Sequence, residues 1–264
     1  LSAAFSGVPF KLVVWGSDVL AWPRGWRRKV ARFVLSRASW VAADSLGVRR
    51  HLRALGYPSS RVKLFAHGPS PVIWDVPVKD KEPLIVHARP LEPLYRPLDI
   101  VRAAAGLGAR LAFTHTGSLA KQVEHEGYAW GVRAELLGFL SRRKYLELLA
   151  KARVFVSFPR WDATSVALLE AMALGSVPVL SDIPSAREWV LDGVNGLLVK
   201  SPTELKRALK RALEDDKLLR NALEINPQLV REKSRWPEGL AEFIELPLEA
   251  PPQLLKEGVP WSYL

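Results

Sequence analysis

Two carboxylates with a short spacing mark the second half of the chain. Asp162 and Glu170 are separated by seven residues, and a stretch of small and apolar residues follows the second acid. Thr164 or Ser165 is the predicted N-cap of the helix that carries Glu170. Backbone N–H groups at such a helix end bind anions, phosphate in particular. The segment therefore predicts a phosphate site, with a carboxylate about one turn further along that accepts hydrogen bonds from paired hydroxyls of a sugar.

Each of these features also has an ordinary structural explanation. Asp near a helix start and Glu on an exposed helix face are common where no ligand binds. Turn formation alone accounts for Gly193, Asn195 and Gly196. Asp18 follows a predicted strand, where it either closes a turn or faces a ligand. The residues by themselves leave both explanations open.

The elements that must position these residues alternate along the chain from Lys81 onward. Short apolar strands are predicted at Leu84–Ala88, Arg110–Thr114, Ala134–Gly138, Val154–Ser157, Val177–Ser181 and Gly196–Val199. Helices are predicted near residues 97–107, 119–126, 142–151, 165–174, 185–191 and 203–214. In the last of these, Ser201 caps the helix and Glu204 completes a capping box. Such alternation indicates a parallel sheet covered on both faces, that is, a doubly wound α/β domain.

The segment before this domain predicts only part of a second one. Strand-like pieces lie at Lys11–Trp15, Trp40–Ala43 and Val62–Ala66, separated by a basic helix and by Leu46–Gly56. Residues 69–83 are rich in proline and charge and are predicted to be a linker. We therefore predict a partial N-terminal α/β domain over residues 1–75. Residues 76–264 are predicted to form a complete domain that ends in C-terminal helices.

Composition limits the classes of protein and site. The 264 residues are 48% hydrophobic, which is enough for a folded core. Absence of cysteine excludes disulfides, thiol nucleophiles and cysteine-ligated zinc. The histidines show no spacing with acids that is typical of metal ligands. They are His51, His67, His87, His115 and His125.

The net charge of +11 is concentrated at the front of the chain. Residues 1–75 carry 12 Lys and Arg against three Asp, a net charge of +9, whereas the rest has +2. The basic excess is greatest in Trp22–Arg37, which has no acid. A helix there would place apolar residues on one face, namely Trp26, Val30, Phe33 and Val34. Its cations would then contact an anionic membrane surface or remain solvated.

Targeting signals and nucleic-acid motifs are not recognised in the sequence. The N-terminal stretch has neither a basic region nor an uninterrupted apolar core, so it does not resemble a signal peptide. The longest apolar-rich stretch contains Glu170, Gly175 and Pro178, which suits a helix and a strand better than a membrane span. Excess charge without a binding motif does not indicate a nucleic-acid partner. We expect a soluble, cytoplasmic protein whose contact with the membrane is peripheral.

The stretch DATSVALLEAMALGSVPVLSDIPSAREWVLDGVNGLLV resembles the signature of the retaining glycosyltransferases of family 4. In that signature an acid, seven residues and a second acid precede EAMA.G.PV, a strand and E.V.DG.NG.LV. Asp162 stands where the family usually has Glu, and Glu170 matches the second acid. LIVHARPLEPLYRPLDIVRAA resembles the first strand and helix of the family's C-terminal domain, in which an Arg after the strand, here Arg89, contacts the donor diphosphate. Arg96 is the candidate for the basic residue that usually follows it.

The resemblance also covers the front of the chain. GSDVL, ASWVAADSLGVRRHLRALG and RVKLFAHGPS resemble the last part of the family's N-terminal domain. Trp15 stands where many members have a His. The glycine-rich first loop and the early strands of the family have no counterpart, so we expect a chain that lacks the start of this domain.

The resemblance implies an α/β fold of GT-B type, with a complete C-terminal Rossmann-like domain and a partial N-terminal one. It implies transfer of a sugar, with retention of configuration and without an obligatory metal or other cofactor, from a nucleotide-sugar donor to a carbohydrate or lipid-linked acceptor. The catalytic residues it implies are Asp162, Glu170 and Arg89, and the donor-binding candidates are Arg96, Thr164, Ser165, Val166 and Asp18. The alternative is a nucleotide-sugar-binding protein without catalysis, because acceptor groups normally come from the N-terminal half.

Overall fold

The computed structural model describes residues 2–20, 25–234 and 236–253. Its strands are β1 (Phe10–Val14), β2 (Ala38–Ala43), β3 (Val62–Leu64), β4 (Glu82–His87), β5 (Arg110–Phe113), β6 (Ala134–Leu136), β7 (Ala152–Ser157), β8 (Val177–Ser181) and β9 (Leu197–Val199). Its α-helices are α1 (Ser2–Phe5), α2 (Ser17–Leu20), α3 (Trp26–Leu35), α4 (Leu46–Ala54), α5 (Pro97–Ala104), α6 (Ala120–Ala129), α7 (Arg142–Lys151), α8 (Val166–Ala173), α9 (Pro202–Glu214), α10 (Asp216–Lys233) and α11 (Trp236–Glu245).

Internal contacts divide the chain into two compact units. Unit 1 comprises the residues up to His67, the short segment Asp162–Thr164 and the residues from Lys233 onward. Unit 2 comprises Gly68–Trp161 and Ser165–Glu232. The α/β fold and the near-continuous alternation of strands and helices predicted from the sequence are confirmed.

Unit 2 contains a six-stranded parallel sheet with the order β6-β5-β4-β7-β8-β9. Its strands are apolar on both faces because helices cover both sides, and all five residues of β8 are buried. The first strand in sequence, β4, lies in the middle of the sheet, and the chain winds outward from it in both directions. Ligands of doubly wound sheets bind beyond the carboxyl ends of the strands at this reversal, here between β4 and β7.

Lys81 connects the ends of the two helices that carry candidate site residues in unit 2. Its ammonium group donates hydrogen bonds to the carbonyl oxygens of Ala150 at 2.9 Å and Leu174 at 2.6 Å. These carbonyls lie at the C-terminal ends of α7 and α8, where the helices leave acceptors unsatisfied. Burial lowers the pKa of Lys81 to about 7. This side chain therefore fixes α7 and α8 against each other.

Unit 1 contains a three-stranded parallel sheet with the order β1-β2-β3. Helix α11 belongs to this unit rather than to the domain predicted over residues 76–264. Phe243 of α11 is buried and its ring lies 6.0 Å from that of Phe65. Glu242 accepts a hydrogen bond from Lys63 at 2.5 Å. The apolar face of α11 is thus covered by the segment that follows β3, which sequence order does not reveal.

The basic helix α3 differs from its predicted orientation. Its buried residues are Ala31 and Leu35, whereas Trp26 is 69% exposed. Arg28 donates to the carbonyl of Ala54 at 3.2 Å, and Arg32 donates to that of Leu55 at 2.6 Å. Two of the cations predicted to face an anionic membrane surface or solvent therefore donate hydrogen bonds to the C-terminal end of α4.

An apolar cavity of about 180 Å³ lies within unit 1. Its lining comes from β1, α2 and α3, and consists of Leu12, Val13, Val14, Asp18, Val19, Val30, Ala31, Val34 and Leu35.

The part of the predicted basic segment that includes Trp22 and Arg24 lies outside the described residues.

Two segments of unit 2 are structured differently from their predictions. The predicted linker contains a 3₁₀-helix, Pro71–Asp75. Ile73 of this helix is fully buried, and the guanidinium of Arg231 lies 4.2 Å from the centre of the Trp74 ring.

The helix predicted near 185–191 is only a 3₁₀ turn, Ala186–Glu188. Asn195 follows it and is buried, with a hydrogen bond of 2.7 Å to Asn226. Asn195 thus forms part of the turn structure.

Candidate functional site

The candidate site of unit 2 lies at the reversal between β4 and β7. Arg89 follows the carboxyl end of β4 by two residues, and Ser165 ends the loop that leads from β7 to α8. The guanidinium of Arg89 donates to the Ser165 hydroxyl at 3.3 Å and to the Tyr95 hydroxyl at 3.0 Å. It also stacks on the Tyr95 ring at 4.5 Å from the centroid. The fold therefore holds a planar cation at the edge where doubly wound sheets bind ligands.

Ser165 is the N-cap of α8. Its hydroxyl accepts from the backbone N–H of Leu168 at 3.4 Å, so the first helical residue is Val166. The sequence left Thr164 and Ser165 as alternatives, and the structure selects Ser165. Because the N-terminal end of a helix carries partial positive charge, it adds to the charge of Arg89. The two together favour an anionic group.

Glu170 lies one turn inside α8 and is buried. Among the described residues it is the only acidic residue in the buried class, with 5% of its surface exposed. Arg142 of α7 donates to its carboxylate at 2.5 Å. Tyr145 also donates to Glu170, and burial followed by the nearby Glu170 charge raises the pKa of Tyr145 well above its usual range. Glu170 is therefore a buried carboxylate with an arginine partner on a neighbouring helix, which differs from the ordinary alternative of a Glu on an exposed helix face.

Arg96 adopts a left-handed backbone conformation, with φ of 52°, immediately before α5. Its Nε donates to Asp99 at 2.7 Å, and its guanidinium stacks 4.2 Å from the ring of Phe158. Phe158 directly follows β7, so Arg96 reaches the same edge of the sheet as Arg89. Its role in donor binding stays a prediction.

The positive field of Arg89 extends to its neighbours. Burial lowers the pKa of His115, and the charge of Arg89 lowers it further. The same two causes, in the same order, act on His87, although a hydrogen bond to Val156 opposes them, and its pKa is about 4. The lowered pKa values favour the neutral form of both histidines beside the Arg89 guanidinium.

Asp162 and Thr164 are placed within unit 1. Thr164 donates from its backbone N–H to the carboxylate of Asp44 at 3.2 Å and from its hydroxyl to the Asp44 carbonyl at 3.0 Å. The sequence predicted that this N–H would face a ligand, whereas the structure directs it to Asp44. Asp162 is half-buried and accepts from the N–H of Ala163 at 3.0 Å.

The segment Asp162–Thr164 approaches the chain closely at Gly16. A Cβ on Gly16 would lie only 2.4 Å from that of Ala163, and Gly16 has φ of 76°. Glycine is therefore required both by the close approach and by the backbone conformation. Asp18 lies in the next turn and accepts from the N–H of Trp15 at 2.8 Å. Asp18 thus closes a turn, and a ligand contact for it stays a prediction.

Sequence reasoning missed Arg142, Tyr145, Tyr95 and Asp44. A signal for Arg142 was present, because it begins a helix whose first turn carries cations and no acid. Asp44 stands between a buried strand and the helix cap Ser45, which is also a readable position. No local pattern indicated the contacts of Tyr95 and Tyr145.

The described residues contain neither a cluster of metal ligands nor a membrane-spanning helix. In residues 2–20, 25–234 and 236–253, no group of three or more His, Asp or Glu is arranged to hold a metal ion. Over the same ranges, every helix is too short or too polar to cross a membrane.

A doubly wound sheet with an arginine and a helix N-terminus at its reversal point defines an α/β protein whose candidate ligand site lies where such sheets bind ligands. Residues 73–228 match the model of the family "Glycosyl transferases group 1". The chain belongs to this family.

Solved structures with similar folds agree with this assignment. A TarM variant of S. aureus in complex with UDP has a TM-score of 0.77 and 14% identity, over 89% of this chain and 50% of that one. Anabaena Alr3699/HepE in complex with UDP-glucose has a TM-score of 0.74 and 18% identity, over 90% of this chain and 71% of that one. These neighbours confirm a fold of GT-B type.

One curated relative is similar in sequence. An uncharacterized glycosyltransferase of Methanocaldococcus jannaschii is 35% identical over 81 residues, which are 30% of this chain and 21% of the relative. The chain thus spans half of the TarM structure and matches about a fifth of this relative.

Proposed function

We propose that the chain binds a nucleotide sugar and transfers its sugar to an acceptor with retention of configuration. The observation that carries the proposal is the pairing of two groups along α8. A guanidinium, Arg89, contacts the cap of the helix, and a buried carboxylate, Glu170, lies one turn further in. The first group suits a diphosphate and the second suits the hydroxyls of a ribose.

The chemistry of sugar transfer explains why these groups are useful. The bond from the sugar to the diphosphate breaks, so negative charge grows on the phosphate while the sugar becomes oxocarbenium-like. Fixed donors that point at the phosphate stabilise this transition state. Arg89 offers a planar fork of N–H donors, and the start of α8 at Val166 adds backbone N–H groups. Arg96 is proposed to add a second cation at the same edge.

Asp162 is proposed to act on the donor sugar, as the family resemblance suggests. It stands three residues before Ser165 in the chain. Its side chain is one methylene shorter than the Glu usual in the family, so its reach differs by more than ~1 Å. We propose that this difference influences which donor sugar is preferred.

UDP-sugars are the donor class we propose. The HepE structure contains UDP-glucose, and the TarM structure contains UDP together with alpha-GlcNAc-glycerol. By analogy, the acceptor proposed for this chain is a carbohydrate, free or linked to a lipid. The likeness supports the proposal through the fold alone, since the identities are low.

Titration calorimetry with UDP tests the proposal directly. We expect the purified chain to bind UDP and to bind UMP more weakly, because UMP offers Arg89 one phosphate fewer. A panel of UDP-sugars, assayed by UDP release, would then identify the donor. No heat of binding up to about 1 mM UDP, the upper end of common KM values, would contradict the proposal.

We also propose that α3 associates with an anionic membrane surface, where a lipid-linked acceptor would be found. Trp26 is exposed, and Phe5 packs against Phe33 with ring centroids 5.0 Å apart. Arg27 and Lys29 are exposed beside these aromatic groups. Cations and aromatic residues on one helix are typical of interfacial binding.

Vesicle co-sedimentation provides the test. The variant that combines Arg27→Glu with Lys29→Glu is expected to lose binding to anionic vesicles, since each basic residue near the surface contributes about 1 kcal/mol. Arg28 and Arg32 are left unchanged because they bond the end of α4. Reversal of the exposed pair Lys206 and Lys210 on α9 is the control, and it should have little effect. Equal losses in both variants would argue against a specific role for α3.

A further inference from the structure

Helix α7 begins with three consecutive cations, Arg142, Arg143 and Lys144. The N-terminal turn of a helix carries partial positive charge, so cations there are unfavourable and acidic residues are preferred. The first turn of α7 has no acidic residue. Where a sequence departs from such a local rule, the reason is often functional.

The three cations are engaged differently. Arg142 bonds the Glu170 carboxylate of the neighbouring helix at 2.5 Å. The Arg142 side chain is 43% exposed and that of Glu170 is 7% exposed. Arg143 is 89% exposed and pairs with Glu147 of its own helix. Lys144 is exposed. Of the three, Arg142 is the one that bonds a buried group on a second helix.

The remaining capacity of Glu170 matches a diol. An ionised carboxylate accepts about four hydrogen bonds through its two oxygens. Among the described residues, Arg142 and Tyr145 donate to it from α7. Two acceptor positions are then left for donors from outside. A ribose presents two adjacent hydroxyls, which is the number required.

We infer that Arg142 is a positioning residue of the donor site, which orients the Glu170 carboxylate so that its remaining acceptor positions meet the ribose hydroxyls. The inference rests on the proposed function. A buried carboxylate requires a charged partner to stay ionised. The guanidinium supplies this partner with a rigid geometry, which the flexible ammonium group of a lysine would reproduce only in part.

Calorimetry with two nucleotides tests this role. UDP and 2′,3′-dideoxy-UDP are titrated into the native chain and the variants Arg142→Ala, Arg142→Lys and Arg143→Ala. The native chain should bind UDP more tightly than the dideoxy nucleotide, because only UDP has the ribose hydroxyls proposed to contact Glu170. Arg142→Ala should lose about tenfold in affinity for UDP, the equivalent of one charge-assisted hydrogen bond, and little for the dideoxy nucleotide. Arg142→Lys should lie between the two, and Arg143→Ala should behave as the native chain does.

A double-mutant cycle distinguishes positioning from general packing. In a Glu170→Ala background, Arg142→Ala should have no further effect on UDP affinity, because the group that it positions is gone. An unchanged preference for UDP in Arg142→Ala would overturn the inference. The inference would also be overturned if Arg142→Ala lost the same affinity for UDP and for the dideoxy nucleotide, and if this loss also appeared in the Glu170→Ala background. If Arg142→Ala does not fold, Arg142→Lys and Arg142→Gln are compared in the same way. Absence of UDP binding by the native chain would overturn the proposed function and this role together.

Discussion

Replacement of Arg89 by Ala is expected to weaken UDP binding by about 1.5–3 kcal/mol, which is tenfold or more in affinity. The reason is that its guanidinium lies at the cap of α8, where it is proposed to offer a fork of donors to the diphosphate. The loss in turnover should be larger, about 10²–10³-fold, because charge grows on the phosphate as the bond to the sugar breaks. Titration calorimetry and UDP release from the donor measure the two effects.

The fold should survive this substitution, since Arg89 is only partly buried and its partners are side chains near the sheet edge. Arg89→Lys keeps the positive charge but lacks the planar fork of donors. We expect it to bind UDP more tightly than Arg89→Ala does and less tightly than the native chain does. Arg102→Ala is a matched control, because Arg102 forms a bidentate pair with Glu126 on the exposed faces of α5 and α6. Equal affinities in the native chain and Arg89→Ala, with similar melting temperatures, would remove Arg89 from the site.

The fold of unit 2 was predictable because its signals are local. The bounds of β8 agree with the prediction at both ends, because a short apolar run of this length between turn residues is typical of a buried strand. Ser201 accepts from the N–H of Glu204 at 3.3 Å, as the capping pattern predicts. By contrast, α11 carries an ordinary amphipathic pattern, which does not say which unit covers its apolar face.

The sequence predicted the candidate site only where the contacting residues are close together in the chain or belong to the family signature. Ser165 as a cap follows from residues within one helical turn. The bond from Arg142 to Glu170 spans 28 positions and that from Thr164 to Asp44 spans 120. Partners so distant are chosen by tertiary packing, and the sequence offers no spacing from which to read them.

The contacts of the cations in α3 were not predictable for a related reason. The sequence shows how many cations a helix carries but not which of them find acceptors on another element. Arg28 and Arg32 fall next to the unsatisfied carbonyls at the end of α4, so they stabilise unit 1 internally. These two guanidinium groups keep their charge, but some of their N–H donors are occupied within unit 1.

The second large effect is expected at Asp44, in the stability of the chain as a function of pH. Burial, with a smaller contribution from the nearby charge of Asp162, raises the pKa of Asp44 from 3.8 to about 7. Hydrogen bonds from Ser45 and Thr164 act in the opposite direction but are weaker. Between these two pKa values the folded chain keeps a proton that the unfolded chain has released.

The sign of the effect follows from this difference in proton binding. The unfolded state binds fewer protons in this window, so the free energy of unfolding falls as pH rises from about 4 to about 7 and then levels off. A shift of this size corresponds to roughly 4 kcal/mol. His51 and His87 act oppositely, because burial lowers the pKa of each to about 4 and stability is lost as pH falls below their usual value.

Comparison with Asp44→Asn isolates the contribution of this carboxyl group. The variant keeps the shape of the side chain and an acceptor for the Thr164 N–H but cannot ionise, whereas the histidines are the same in both proteins and cancel. Urea unfolding between pH 4.5 and 8 is therefore expected to show the native chain losing stability relative to the variant as pH rises. Asp80→Asn, at an exposed position, is the control for the loss of a carboxyl group as such. A constant difference between the native chain and Asp44→Asn would mean that Asp44 is ionised throughout the range, so that its bond to Thr164 holds the Asp162 segment equally at every pH.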